Sequence, residues 1–254
     1  MRKINYNKVT IESDESVYIH PIGDLHIGHK NHDSKVLTRR LNEIGQNGQN
    51  HRILLMGDLM DCGIKSAVGA SVYEQTLTVA EQLEKLKKHF EPLADRIDGC
   101  VMGNHEYRIF KEVGIDVLEV FCSELKIPYL FYSGVVTYSI NGNRAYNFNM
   151  FHGKAGGGVE NALKACKNMA TKVNADVFLM GHCHRQAYTN RAVKVIDSRN
   201  SKIVDTMQHF VLTGHALSYD DSYADQANLD IAPAGFPCVE LSAVGDKRIC
   251  VTQL

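Results

Sequence analysis

The chain has 254 residues, 44% of them hydrophobic and 22% charged, a mix that excludes disordered and fibrous classes and suffices for one full-sized core. Twenty-eight Lys and Arg against 29 Asp and Glu leave a formal charge of -1, so no global field draws the chain to nucleic acid or to an anionic membrane. The polar opening MRKINYNKVTIESDES lacks a secretory apolar segment, no run approaches the roughly 18 apolar residues of a membrane span, and the seven cysteines form no CxxC pair. A soluble cytoplasmic protein with reduced thiols and no membrane partner is expected.

In chain order, an apolar run predicts a buried strand over 17–22, a helical pattern follows over 34–44, and a second strand is expected over 53–56. The strongest helical signal runs over 72–97, where Val79, Leu83, Leu86, Phe90, Leu93 and Ile97 share one face and Pro92 is a kink or stop. A strand over 100–102 and a helix over 115–125 come next. Around Asn141-Gly142-Asn143 the segments VVTYSI and AYNFNMF read as the two arms of a hairpin, the second carrying a strand over 147–151. A helix over 159–173 and a strand over 177–180 complete the βα-rich part. Short strands over 192–196, 209–213, 238–241 and 248–252 follow, with an acidic loop near Asp220-Asp221. The expected fold is one α/β domain over residues 1–254, a two-sheet α/β/β/α sandwich.

Four of these runs end alike: PIGDLH, LMGDLMD, VMGNHE and LMGHCH. In open α/β sheets the loops leaving the carboxyl ends of strands converge on one edge. A glycine there permits a sharp turn and close backbone approach, and the next residue points into the shared crevice. That places Asp24, Asp58, Asn104 and His182 together, with His26, Asp61, His105, His184 and the His152 of FHG as neighbours. Carboxylates and imidazoles in such numbers are ligands for first-row metals, and a carboxylate can bridge two ions. The DxH and HxH spacings suit an extended segment, in which residues i and i+2 point to one side. Cys183, between the two histidines, then faces away as a buried thiol.

These five motifs, in this order, resemble the calcineurin-like metallophosphoesterase superfamily. The resemblance implies Asp24, His26, Asp58 and His184 on one metal and Asp58, Asn104, His152 and His182 on the other, with Asp58 bridging. It further implies that His105 contacts the phosphate and protonates the leaving oxygen, and that Asp61 orients His105. Two divalent ions are the implied cofactors, Mn2+ first, with Fe, Zn, Co or Ni also compatible with mixed N/O ligands. Ions about 3.5 to 4 Å apart can share a hydroxide and so supply a nucleophile at neutral pH.

Substrate signals are sparser. Arg108 in GNHEYR is a candidate phosphate clamp, and His215 in TGHALSY follows a strand and can approach the crevice. The glycines at 156–158 do not form a P-loop, because Lys154 precedes them. The run Arg185, Tyr188, Arg191, Lys194, Arg199, Lys202 reads as a solvated face. The other histidines (His20, His29, His32, His51, His89, His209) read as surface or core residues. GDLMDCG places Cys62 where the superfamily's protein phosphatases carry a phosphate-gripping arginine, and no capping domain of the repair-nuclease kind is apparent. The expected enzyme is a phosphodiesterase of nucleotide or nucleic-acid substrates, possible nuclease activity included. A phosphomonoesterase is the alternative, and a non-catalytic scaffold is the remaining one. Oligomeric state is open, since strands in the second half are free to pair between subunits.

Overall fold

The computed structural model describes residues 5–64, 75–154, 158–198, 200–220, 225 and 230–253. The start of the predicted helix at 72–74, Gly156, Gly157, Arg199 and Asp221 lie outside them. Within the described residues the strands are β1 (Asn5–Ile11), β2 (Val17–Ile22), β3 (His51–Leu55), β4 (Ile97–Cys100), β5 (Ser133–Ile140), β6 (Arg144–Phe151), β7 (Val177–Met180), β8 (Gln186–Asp197), β9 (Lys202–Thr213), β10 (Cys238–Leu241) and β11 (Ile249–Thr252). The helices are α1 (Ser34–Gln46), α2 (Val79–Phe90), α3 (Asn104–Val113), α4 (Val117–Leu125) and α5 (Gly158–Met169).

Two sheets form, ordered β1-β5-β6-β7-β9-β8 and β11-β10-β2-β3-β4. Alternation along each strand sends one face to the partner sheet and the other to helices. Val17, Ile19 and Leu54 meet Val136, Phe148, Leu179 and Val211 between the sheets, whereas Ile22, Ile53 and Leu55 pack with Leu37, Leu86, Phe90 and Phe121 of α1, α2 and α4. On the far side, Ala162 and Cys166 of α5 cover Phe178, Phe210 and Leu212. The layers are therefore α/β/β/α, as expected from sequence.

Local chemistry explains most boundaries. Asp33 caps α1 by accepting the amides of Lys35 and Val36, and Thr78 with Glu81 forms a capping box that starts α2. The long predicted helix is shorter than its apolar pattern: α2 ends at Phe90, residues Glu91–Arg96 form a 3-10 turn containing Pro92, and Ile97 opens β4 by pairing with Ile53. The strand expected over 100–102 thus lies three residues earlier. Helix α3 and strand β1 have no counterpart in the sequence reading. Ile109 is the one buried apolar residue of α3, too few for a helical period, and β1 alternates half-buried and exposed residues as an edge strand.

β2, β3 and β4 run parallel in one sheet, and β6, β7 and β9 run parallel in the other. The five motif loops and the loop that carries His215 therefore all leave carboxyl ends of parallel strands.

Candidate metal centre

The loop after β2 carries Asp24 and His26, that after β3 carries Asp58 and Asp61, and α3 begins at Asn104 and His105. From the other sheet come His152 after β6, His182 and His184 after β7, and His215 after β9. Three overlapping clusters have ligand atoms within 4.8 Å of one another: Asp24, His26 and His184; His26, Asp58 and His105; and Asp58, His152 and His182. His26 Nε2 lies 3.0 Å from His184 Nε2, His184 Nε2 3.3 Å from Asp24 Oδ1, and His152 Nε2 3.1 Å from Asp58 Oδ2. The amide oxygen of Asn104 is 3.2 Å from His152 Nε2. Asp58 stands between the groups, touching the second and third clusters.

The backbone corrects one sequence argument. Asp24, His26, Asp58, Cys62, His182 and His184 all have φ between 47° and 69°, the left-handed region that non-glycine residues seldom enter. DxH and HxH are therefore not extended segments. Each pair is aimed by two left-handed residues, a strained arrangement of the kind that gathers at functional sites. The motif glycines serve close approach as much as turning. A Cβ on Gly181 would stand 2.6 Å from Asp24 Oδ2, and one on Gly103 would collide with the Asp58 carboxylate.

Glu106 holds this backbone in place, and the sequence reading passed over it. Fully buried, its carboxylate accepts the amides of Asp58 at 3.1 Å, Leu59 at 2.6 Å, Met60 at 3.0 Å and Gly103 at 3.1 Å, tying the β3 loop to the start of α3. The signal was a Glu at the third helical position, where a capping side chain reaches back. Burial, followed by the neighbouring Asp58 charge, pushes its carboxyl up to about 7. Gln75 and Gln82 were also missed. Gln75 Nε2 donates to Asp61 Oδ2, and the amide of Cys62 donates to Gln82 Oε1 at 3.0 Å.

Burial alone would raise the Asp58 and Asp24 carboxyls, but the imidazoles around them outweigh it: His152 and His105 hold Asp58 well below the usual range, and His184 and His152 hold Asp24 below it. Burial pulls His152 down, yet Asp58 reverses this and pushes it up to about 10. His152 Nδ1 faces the carbonyl of Met56 at 2.8 Å, which orients Nε2 toward the crevice. His182 Nδ1 is buried with no hydrogen-bond partner. Two fully buried carboxylates beside imidazoles, one with an orphaned nitrogen, form a donor set that fits divalent cations.

Asp61 behaves differently from a simple partner of His105. Its carboxylate Oδ1 lies 2.9 Å from His26 Nδ1 and 3.3 Å from His105 Nδ1, while the shortest contact of His105 Nδ1, 2.6 Å, is to the Asp61 carbonyl. Nδ1–H donated there leaves Nε2 as acceptor for Arg108 Nη2 at 3.2 Å. Burial lowers His105, but Asp58 and Asp61 outweigh it and the net is upward. His215 stands beside the cluster, its ring 5.6 Å from that of His184, with Nδ1 accepting the Leu217 amide at 3.1 Å. Burial, reinforced by His184, lowers it to about 4 and so keeps it neutral. Lys154 is exposed. Cys183 is half-buried rather than fully buried.

Comparison with solved structures finds folds aligned over 93% of this chain at low identity. They include a conserved protein of Streptococcus pneumoniae described as a predicted phosphoesterase (13% identity, 88% of that chain, TM-score 0.43). GAP50, the anchor in the inner membrane complex of Plasmodium, aligns at 10% identity over 84% of its chain with TM-score 0.43. The calcineurin-like phosphoesterase YfkN from Bacillus subtilis aligns at 13% identity over 90% of its chain with TM-score 0.38. No curated protein matches the sequence. The family model for calcineurin-like phosphoesterases spans residues 19–215, from β2 to His215, and the chain belongs to that family of metal-dependent phosphoester hydrolases.

Proposed function

We propose that the chain is a dinuclear phosphodiesterase acting on nucleotide or nucleic-acid phosphodiesters. Asp24, His26, Asp58 and His184 would hold one divalent ion, and Asp58, Asn104, His152 and His182 the other. The observation that carries this reading is the convergence of these side chains, from both sheets, around two buried carboxylates. Bound ions supply Lewis acidity and a nucleophile at neutral pH.

The chain's own groups do the rest. With Nδ1 anchored on the Asp61 carbonyl, His105 takes a second proton at Nε2 once Arg108 turns away from it, a charge that Asp58 and Asp61 favour, and passes that proton to the leaving oxygen, while the Asp61 carboxylate sets the orientation of His26. Arg108 turns its guanidinium from His105 to the phosphoryl oxygens, and His215 lines the rim next to His184. The preference for a diester rests on charge: Arg108 is the guanidinium within reach of His105, and a diester monoanion demands less positive charge than a monoester dianion.

The test strips the purified protein of metal, restores Mn2+, and compares rates on bis-p-nitrophenyl phosphate and p-nitrophenyl phosphate. Faster turnover of the diester is expected. Faster turnover of the monoester would replace this reading with a phosphomonoesterase, and inactivity on both would leave a scaffold.

A further inference from the structure

β8 and β9 pair over all twelve of their residues, from Gln186 opposite Thr213 to Asp197 opposite Lys202. β7 supports β9 only along His209 to Leu212. Residues 191–197 and 202–208 therefore continue as a two-stranded ribbon past the amino-terminal end of β7, away from the loops that carry the ligands. An isolated ribbon is marginal in water. This one presents Ile196 opposite Ile203 and Ala192 opposite Met207 on one face, with Ile196 77%, Ile203 65% and Met207 41% exposed. β8 is also the last strand of its sheet, so its outer edge offers a row of backbone donors and acceptors, which natural sheets seldom leave uncovered.

We propose that this edge is covered by a second copy of the chain, β8 pairing antiparallel with β8 about a two-fold axis at Lys194. Residues directly opposed in an antiparallel ladder share a face, so the axis must pass through a residue. An axis at Lys194 sets Arg191 opposite the partner's Asp197 at both ends, Val193 opposite Val195, and Ala192 opposite Ile196. Moving it to Val193 would set Arg191 against Val195 and Asp197 against Thr189, losing both charge matches. The two Lys194 ammoniums meet at the axis, and each is neutralised by Asp205 of its own hairpin at 2.7 Å. The two six-stranded sheets become one, each Ile196 gains the partner's Ala192 as a cross-strand neighbour, and both crevices stay open.

Sedimentation of the full-length protein should give a dimer, and Arg191→Asp, which sets carboxylate against carboxylate at both ends of the ladder, should sediment as a monomer with unchanged hydrolytic rate. Opposed residues in such a ladder have Cα atoms about 4.5 to 5.5 Å apart, within disulfide range. On mild oxidation Lys194→Cys should therefore form a covalent dimer. Ile196→Cys, facing Ala192, should not, and neither should the parent chain, whose Cys250 is exposed. A monomeric parent chain without cross-linking of Lys194→Cys would overturn the proposal, and cross-linking of Ile196→Cys as fast as Lys194→Cys would overturn the register.

Discussion

At His105 the surroundings leave one ring nitrogen for two jobs that an imidazole can do, proton delivery and ion holding. Its ring stands 3.8 Å from Asp58 Oδ2 with Nδ1 on the Asp61 carbonyl, so Nε2 is the atom that either job would use, and the proposed function assigns it proton delivery. His105→Ala should keep its metal and lose about 100 to 10,000-fold on an alkoxide leaving group, with much less loss on p-nitrophenolate, which needs no proton. Steady-state rates on the two substrate types check this, and equal losses would remove the acid role. The candidate residues themselves were legible in GDLH, GDLMD, GNHE, FHG and GHCH, because their chemistry is carried by side-chain identity. The double contact of the Asp61 carboxylate with His26 and His105 was not, since it depends on where two loops from different strands meet.

At the level of elements, the loop after β3 and the start of α3 behave as one unit because Glu106 collects four of their amides. Replacing its carboxylate by an amide presents N–H groups to N–H groups and strands buried donors, which costs about 1 to 3 kcal/mol. Glu106→Gln should lower the urea midpoint accordingly and weaken metal retention at Asp58. Unfolding curves and elemental analysis after dialysis measure both, and a variant unchanged in both would show that the clamp is dispensable. Strand β2 and strand β7 were readable to the residue, since a short apolar run bounded by a motif glycine has one sensible pairing. The end of α2 was not. Ile97 fits the helical stripe of Val79 to Leu93, and only the pairing of β4 with β3 decides that it is a strand residue.

For the whole molecule, burial between layers also places a titratable group away from the crevice. His20 of β2 is fully buried, its Nε2 is 2.9 Å from His51 Nδ1, and burial, then Arg40 and His51, lowers it from 6.5 to about 3. Above pH 6.5 both folded and unfolded chains carry it neutral. As pH falls through 6.5 toward 3 the unfolded chain takes the proton and the folded chain does not, so stability drops by about 1.4 kcal/mol per pH unit for this group. Urea unfolding at pH 7 and pH 5 should show a smaller acid loss in His20→Gln than in the parent chain, and equal losses would place the acid sensitivity elsewhere. Composition, periodicity and the strand-end motifs alone determined the layered α/β class, most strand positions and the identities of the candidate ligands, because these follow from local pattern and side-chain chemistry. Tertiary structure decided the left-handed backbone at Asp24, His26, Asp58, His182 and His184, the Glu106 clamp and the projecting β8–β9 ribbon. Each of these depends on contacts, or on their absence, between segments far apart in the chain, which no local window contains.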